Sequence, residues 1–182
     1  MRLPAVKFVP ALAVALALSS ALASTYFPRE PGTTWKLSNG EVQKLAAPLT
    51  LRGVKVTPLQ HVIGGKLVSE DLLDFSSGGV QLRGTRVQGR VAWYEPPLTL
   101  YPKGPLAVGQ TWRSTSGGTT LTVQVVSQQA LVTGGGKFNA LLLRNEVTTA
   151  SGGGSVNFAY FVPGLGTVRY VGANGGTVDL LK

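Results

Sequence analysis

The chain has 182 residues, and its 17 Lys and Arg outnumber its 8 Asp and Glu, which gives a formal net charge of +9 at pH 7. It contains no cysteine and a single histidine, which excludes disulfide bonds, a bacterial lipoprotein's modified cysteine and thiolate metal sites. The positive charge favours anionic neighbours such as phospholipid headgroups or acidic wall polymers, and it equally suits a surface that only maintains solubility.

The N-terminal segment, residues 1–23, has the pattern of a secretory signal peptide. Arg2 and Lys7 flank its start, and the apolar run 8–18 is too short to span a bilayer core of ~30 Å. An Ala-x-Ala cleavage pattern ends at Ala23. We therefore predict export to the periplasm or the medium, with cleavage lowering the net charge to +7; an uncleaved N-terminal anchor is the alternative.

Residues 24–182 are predicted to form one β-rich domain, with no further segment apolar enough to cross a membrane as a helix. Short runs of alternating apolar and polar residues predict strands, and helical periodicity is nearly absent. Asn39-Gly40 predicts a hairpin, because this pair favours positive φ at both central positions of a tight turn. The alternation changes phase at Gly53 and again at Gly84, which predicts a bulge or a tight turn at each.

The second half continues the same pattern. Residues 121–125 alternate as a half-buried strand, and 138–147 (FNALLLRNEV) are apolar on both faces, which is typical of a central strand. The final TVDLL predicts a closing strand. We predict an all-β fold, a single curved antiparallel sheet that forms a half-barrel or a barrel of about ten to twelve strands. The Pro-rich stretch 95–105 marks where two related halves would meet.

Two short stretches are similar to each other, GTTWKLSNG from Gly32 and GQTWRSTSG from Gly109. In both, the glycine ends a loop that contains proline, and Thr-Trp begins a strand. Each tryptophan can bury ~150–250 Å². The repeat is therefore either a core element used twice, with Trp35 and Trp112 at equivalent ends, or a pair of aromatic walls for an apolar or sugar ligand.

Two patterns carry a resemblance to known proteins, Pro-Leu-x-x-Gly-x-x-Trp at 105–112 and Tyr-x-x-Pro-Gly-x-Gly-x-Val at 160–168. The matching residues are Pro105, Leu106, Gly109, Trp112, Tyr160, Pro163, Gly164, Gly166 and Val168. In these the chain resembles exported bacterial proteins of unknown function with β-rich envelope domains, some of them similar to the curved half-barrel of lipoprotein carriers. The resemblance implies an architecture and no particular activity.

No catalytic or metal-binding motif accompanies these patterns. The single histidine, His61, shares parity with Leu59 and Ile63, which predicts a hydrogen-bonded structural residue facing the core rather than a ligand or a general base. The acidic cluster 70–74 suits a solvated turn better than a calcium site. We expect neither a metal nor a cofactor. A distant carboxylate pair, with Glu95 and Glu146 as the candidates, keeps a hydrolase as the second alternative function.

The leading hypothesis is a non-catalytic exported envelope domain that binds an apolar or amphiphilic molecule, or a neighbouring envelope component, on the concave side of its sheet. The candidate ligand-binding residues are Trp35, Trp93, Trp112, Phe158 and Tyr160.

The first alternative is a structural or adhesive protein that docks on an anionic cell-surface polymer through a basic face. The candidate contacts are Arg52, Lys55, Arg83, Arg86 and Arg90. Strand parity places Arg86 and Arg90 on one face and Val91 and Trp93 on the opposite, core-facing side. An inward Trp93 and the export signal both disfavour nucleic acid as a partner.

Cleavage of the signal peptide can be tested directly. We expect protein recovered from its native host to begin at Ser24, because the Ala-x-Ala pattern ends at Ala23. Intact-mass measurement of the purified protein checks this. Retention of residues 1–23 on most molecules would show that the segment is not a cleaved signal.

Overall fold

The alternating segments and their glycine turns form antiparallel hairpins throughout the described part of the chain. The computed structural model describes residues 26–181, so the predicted signal peptide lies outside the described residues. The first sheet has seven strands: β1 (Thr34–Lys36), β2 (Glu41–Leu45), β3 (Leu49–Leu51), β4 (Val54–Ile63), β5 (Lys66–Asp74), β6 (Val80–Val87) and β7 (Arg90–Tyr101). Their order is β1-β2-β4-β5-β6-β7, with β3 paired to the first residues of β4.

The second sheet has six strands, and each pairs with its neighbours in the chain. They are β8 (Thr111–Ser116), β9 (Thr119–Thr133), β10 (Gly136–Thr149), β11 (Gly154–Val162), β12 (Gly166–Val171) and β13 (Thr177–Asp179). The all-β antiparallel class is therefore confirmed. The described strands are divided between two sheets, and the connection between the sheets runs from residue 102 to 110.

The two sheets meet along both edges without forming one continuous ladder. At one edge, Trp112 Nε1 donates to the carbonyl oxygen of Thr99 at 3.0 Å, and the Thr99 N–H donates to Ser114 Oγ at 2.9 Å. At the other edge, Leu37 and Leu180 form an isolated antiparallel bridge. The curvature agrees with the predicted half-barrel, and the sheets are not closed.

The two predicted phase corrections are both present, and they differ in kind. Arg52 and Gly53 have positive φ, 51° and 76°, and form the tight turn between β3 and β4. At Gly84 the register with β7 shifts instead, which is a bulge inside the sheet. The turn at Gly53 keeps Val56 buried on the following strand, whereas Val87, after the bulge at Gly84, is exposed.

The predicted hairpin at Asn39-Gly40 joins β1 to β2, but its geometry differs from the expected two-residue turn. Only Gly40 has positive φ, 83°. The side-chain oxygen of Asn39 accepts from the Glu41 N–H at 3.1 Å, and the Gly40 N–H donates to the Leu37 carbonyl at 3.0 Å. The asparagine side chain thus stabilises the loop through a local hydrogen bond, and positive φ is needed at the glycine alone.

The predicted strands of the second half are confirmed. Leu121, Val123 and Val125 are buried on β9 while Gln124 is exposed. The apolar run 138–147 lies within β10, which pairs with β9 on one side and β11 on the other, as a central strand should. The terminal segment forms the edge strand β13.

The repeated Gly-x-Thr-Trp has the same backbone structure in both copies and begins the first strand of each sheet. Gly32 has φ 91° and donates to the Leu45 carbonyl of the partner strand at 2.7 Å. Gly109 has φ 88° and donates in the same way to Val125 at 2.8 Å. A positive φ favours glycine at both positions, which explains why the motif repeats.

Each tryptophan of the repeat makes a hydrogen bond to the other sheet. The Trp35 indole N–H donates to the Leu165 carbonyl, in the turn between β11 and β12, at 2.7 Å. Trp112 makes the corresponding bond to Thr99 on β7. Trp35 is only 4% exposed, whereas Trp112 is half-buried.

An aromatic cluster closes one end of the space between the sheets. The ring centroid of Phe27 lies 6.2 Å from that of Trp35, 6.2 Å from that of Phe75 and 5.6 Å from that of Tyr101. Aromatic pairs at these separations contribute beyond the area that they bury. The segment that carries Phe27 is held by Tyr26, whose carbonyl accepts from the Gly164 N–H at 2.9 Å.

The interface between the sheets predicts a difference between the two tryptophan positions. Trp35→Phe should lower the free energy of unfolding by about 2–4 kcal/mol, because it leaves a void and an unpaired Leu165 carbonyl. Trp112→Phe should cost about 1 kcal/mol, because water can replace the lost bond at the half-buried position. Urea denaturation measures both. Equal losses of unfolding free energy in the two variants would show that the buried Trp35 contributes no more to stability than the half-buried Trp112.

Candidate functional site

A cavity of about 510 Å³ lies between the two sheets. The aromatic cluster around Phe27 forms one end of it. Other apolar lining residues come from both sheets and are Trp35, Leu59, Leu73, Leu100, Leu121, Val123, Val147, Phe158, Ala159 and Val171. Two further lining residues, Asn157 and Gly172, are exposed, so solvent reaches the cavity at the end remote from Phe27.

Polar side chains line the cavity towards this open end. The second sheet contributes Asn145 and Asn157, which are register partners, and the amide of Asn145 donates to the oxygen of Asn157 at 3.1 Å. Tyr170 donates its hydroxyl hydrogen to the side-chain oxygen of Gln43 across the cavity at 3.3 Å. The cavity therefore has an apolar interior and a polar rim.

His61, on β4, lies between two carboxylates at this rim. Its Nδ1 is 2.7 Å from Glu41 Oε1, and its Nε2 is 3.2 Å from Asp71 Oδ2. The pairing of strands creates this contact, because β4 lies between β2, which carries Glu41, and β5, which carries Asp71. Thr85 adds a further hydrogen bond, 3.2 Å from its hydroxyl to Asp71 Oδ1.

The two carboxylates decide the protonation of His61. Burial alone would lower its pKa, but the hydrogen bonds and charges of Asp71 and Glu41 outweigh burial and raise the pKa to about 9. Burial likewise acts to raise the pKa of Glu41, and hydrogen bonds led by His61 bring it below its ordinary value. At neutral pH the imidazole is therefore a cation with both N–H groups donated to carboxylates.

This arrangement limits what the site can do chemically. A protonated His61 has no free lone pair, so it cannot act as a general base near pH 7. The two carboxylates and one imidazolium leave one net negative charge at the rim. Burial raises the pKa of both Tyr101 and Tyr170, so their hydroxyls stay neutral at pH 7, and that of Tyr170 donates to Gln43.

Two of the five predicted ligand-binding residues, Trp35 and Phe158, line the cavity. Trp112 is packed against the core at the edge where β7 meets β8. Tyr160 packs against the core and lies under the Arg169 guanidinium, whose carbon is 5.9 Å from the ring centroid. Neither belongs to the cavity lining.

The prediction that Trp93 faces the core is wrong. Trp93 pairs with Gly84, which pairs with Leu72, and all three therefore lie on the face opposite to the cavity residue Asp71. There the guanidinium carbon of Arg52 lies over the Trp93 ring, 5.4 Å from the ring centroid.

The predicted basic face is partly neutralised by carboxylates. Arg83 Nε is 3.0 Å from Asp74 Oδ2, and Arg86 is paired with the buried Glu70. Lys55 and Arg90 are exposed. Arg86 and Val91 are register partners and share a face, contrary to the parity argument.

The acidic cluster is not the solvated turn that the sequence predicted. All three acids of the cluster lie on strand β5, and each is paired with a basic side chain. The pairs are Glu70 with Arg86, Asp71 with His61, and Asp74 with Arg83. Adjacent residues on a strand point to opposite faces, so Glu70 meets Arg86 outside while Asp71 meets His61 at the cavity. The cluster therefore serves three ion pairs in a continuous strand.

The remaining chemical candidates lie away from the cavity. Glu95 is on β7 of the first sheet, with a side chain 69% exposed, and Glu146 is on β10 of the second sheet, paired with Arg144 at 2.7 Å. Neither lines the cavity. Among residues 26–181, no group of three or more His, Asp or Glu side chains is arranged to hold a metal ion.

No sequence motif marks the remaining residues at the rim, which are Glu41, Gln43, Asn145, Asn157 and Tyr170. Each is unremarkable in its own strand, and the rim appears only when strands distant in sequence are paired. One signal was available, because Asp71 and Leu73 share parity on β5, which places a carboxylate on the same face as a core residue.

Comparisons with known proteins identify no family for this chain. No protein-family model matches it, and neither does any curated protein. Among solved structures it is similar to a predicted exported protein with a YmcC-like fold from Bacteroides fragilis, with a TM-score of 0.43 and 13% identity over 86% of this chain and 97% of that chain. Residues 26–181 contain no helix that is long and apolar enough to cross a membrane.

The two carboxylates beside His61 predict the pH at which this histidine titrates. The His61 signal should titrate near pH 9 in nuclear magnetic resonance spectra, and Asp71→Asn should lower that midpoint, because it removes one carboxylate. Asp179→Asn, which breaks the pair with Arg169 instead, is the matched control and should leave the midpoint unchanged.

The free energy of unfolding should depend on the protonation of His61. The pKa of His61 is higher in the folded chain than its unfolded value of ~6.5, so its stabilising contribution is complete below pH ~6.5 and is lost as the pH rises through about 9. A midpoint near 6.5 in the wild-type protein would contradict the double ion pair.

Proposed function

We propose that this protein is an exported, non-catalytic domain of the cell envelope that binds a small amphiphilic molecule in the cavity between its sheets. The observation that carries the proposal is the cavity itself. At about 510 Å³ it falls within the ~300–1,000 Å³ of small-molecule sites. A purely structural domain would fill the same space with side chains at the density of a protein core.

The apolar interior supports an apolar chain or ring as the buried part of the ligand. Trp35, Tyr101 and Leu73 come from the first sheet, and Val123 and Ala159 from the second, so a ligand would be enclosed by side chains from both. Burial of apolar ligand surface contributes ~25 cal/mol per Å² before the cost of association. The polar rim would then remain beside the end of the ligand nearest to solvent.

The rim supports a cationic or hydroxyl-bearing head rather than an anionic one. Asp71 lines the cavity, and Glu41 lies 2.7 Å from the lining residue His61, so two carboxylates accompany one cation there. No lysine or arginine is among the lining residues. A carboxylate or phosphate head would meet a net negative charge, whereas an amine would be attracted to it. A hydroxyl head would find both donors and acceptors in Asn145 and Gln43.

Repetition of the Gly-x-Thr-Trp element fits a scaffold that surrounds the site. Both tryptophans bond to backbone carbonyls of the opposite sheet, and only Trp35 also reaches the cavity. The repeat thus supports the walls, and the ligand would contact one member of the pair. The non-catalytic assignment is supported by His61, whose two nitrogens are both committed to carboxylates.

Binding can be tested with three amphiphiles of equal chain length that carry an amine, a hydroxyl or a carboxylate head. We expect the amine and the hydroxyl to bind, measured by calorimetry, with the carboxylate about tenfold weaker because of the rim charge. Val147→Trp should abolish binding by filling the cavity beside its rim. Val156→Trp is the matched control, because Val156 lies on the neighbouring strand and pairs with Glu146 on the opposite face.

Two results would overturn the proposal. One is the absence of binding for all three heads, together with native mass spectra of host-purified protein that show no copurifying molecule. The other is an equal loss of binding in Val147→Trp and Val156→Trp while both variants stay folded. A preference for the carboxylate head would refute the rim chemistry and leave the cavity as a binding site.

A further inference from the structure

Two neighbouring hairpin tips expose an unusual share of the apolar surface of the described residues. Eight large hydrophobic side chains are exposed in residues 26–181, and four of them lie on these tips. They are Ile63 (47% exposed), Leu67 (53%), Val68 (44%) and Val87 (48%). We call residues 63–68 and 87–90 the paired tips. Scattered exposed apolar residues are ordinary, but four in adjacent turns form a patch.

The tips are adjacent, and each is a tight turn. Strand pairing brings Ser69 of β5 opposite Val87 of β6, and a groove of about 350 Å³ between the tips is lined by Leu67, Val68, Gln88 and Gly89 among others. Each tip is a two-residue turn with positive φ at both central positions, Gly64-Gly65 in one and Gln88-Gly89 in the other. The backbone twist of such turns matches that of the flanking strands, so the strands stay paired up to the turn.

The tips also carry positive charge and no exposed acid. Lys66 and Arg90 are exposed at the two turns, and residues 62–69 and 87–91 contain no aspartate or glutamate. The nearest carboxylate in the groove, Glu70, is buried and paired with Arg86. The patch therefore combines apolar side chains with two exposed cations, and the neighbouring Glu41, the register partner of Ile63, is paired with His61.

The paired tips lie at the open end of the cavity. Ile63 follows the rim residue His61 by two positions on β4, which is ~7 Å along a strand. The aromatic cluster around Phe27 closes the opposite end. A surface that received the tips would face the cavity mouth.

We propose that the paired tips dock the protein on an anionic phospholipid bilayer. The apolar side chains enter the boundary between headgroups and acyl chains, and Lys66 and Arg90 contact the anionic headgroups. The positive charge of Lys66 and Arg90 and the small size of the patch favour a bilayer over a protein partner. A stable protein partner requires ~800 Å² and 20–30 residues a side, whereas the patch consists of two short turns.

Vesicle flotation tests the proposal with protein whose N-terminus has been established by intact mass. We expect binding to vesicles of phosphatidylglycerol and phosphatidylcholine and weaker binding to phosphatidylcholine alone, with loss of binding at high salt. The double variant Ile63→Ser/Leu67→Ser should partition about tenfold less or worse. Its matched control, Val108→Ser/Val132→Ser, replaces residues that are 55% and 64% exposed outside the tips and should bind as the wild type does.

A second pair of variants tests how much the charges of Lys66 and Arg90 contribute to vesicle binding. Lys66→Gln/Arg90→Gln should weaken binding to the anionic vesicles about tenfold and leave binding to phosphatidylcholine unchanged. Lys103→Gln/Lys137→Gln removes two exposed lysines outside the tips and serves as the control. Thermal denaturation of all four variants establishes that they remain folded.

The proposal is overturned if neither vesicle type binds the protein, or if tip and control variants bind alike. It is also overturned if the tips instead mediate a dimer, seen as a halved mass in sedimentation of the Ile63→Ser/Leu67→Ser variant. The docking is independent of any ligand in the cavity. Val147→Trp, which fills the cavity, should therefore bind vesicles normally.

Discussion

The hydrogen bond from the Trp35 indole to the Leu165 carbonyl, 2.7 Å long, is the contact on which the space between the sheets depends. The two sheets share no continuous backbone ladder, so side-chain contacts supplement the short backbone bridge between Leu37 and Leu180. Gly166 sits directly behind this bond with φ 96°, and its α-carbon faces the rings of Phe27 and Trp35. A buried indole N–H is expensive to leave unpaired, and this fixes the distance between the walls at one end.

The opposite end carries ion pairs within the first sheet and is bridged to the second sheet by the Tyr170–Gln43 hydrogen bond, which makes the cavity chemically asymmetric. Burial of charged groups costs free energy unless their partners are well placed, and His61 satisfies this by donating to Glu41 and Asp71 at once. An apolar wall around Trp35 and a charged rim around His61 therefore belong to one continuous space. The polar side chains of the rim can hydrogen-bond to water at the open end of the cavity.

The sequence predicted the strands well because alternation and glycine turns act locally, as β9, β10 and the turn at Gly53 show. The site depends on pairing between distant strands, which alternation does not specify. Trp93 illustrates the limit. Val87 pairs with Arg90 across a two-residue turn, so odd positions on β6 face the same way as even positions on β7. Parity counted across that turn placed Trp93 on the wrong face.

The charges inside and outside the cavity mouth have opposite signs, and the two have different consequences. Lys66 and Arg90 on the tips attract an anionic surface, while Glu41 and Asp71 within the rim repel an anionic head. Anionic lipids would then hold the protein at a bilayer without competing for its interior. A cationic or uncharged amphiphile in the same bilayer would be drawn past the tips and into the cavity. Under both proposals, the basic tips would bind the bilayer surface and the acidic rim would select the head group of the ligand.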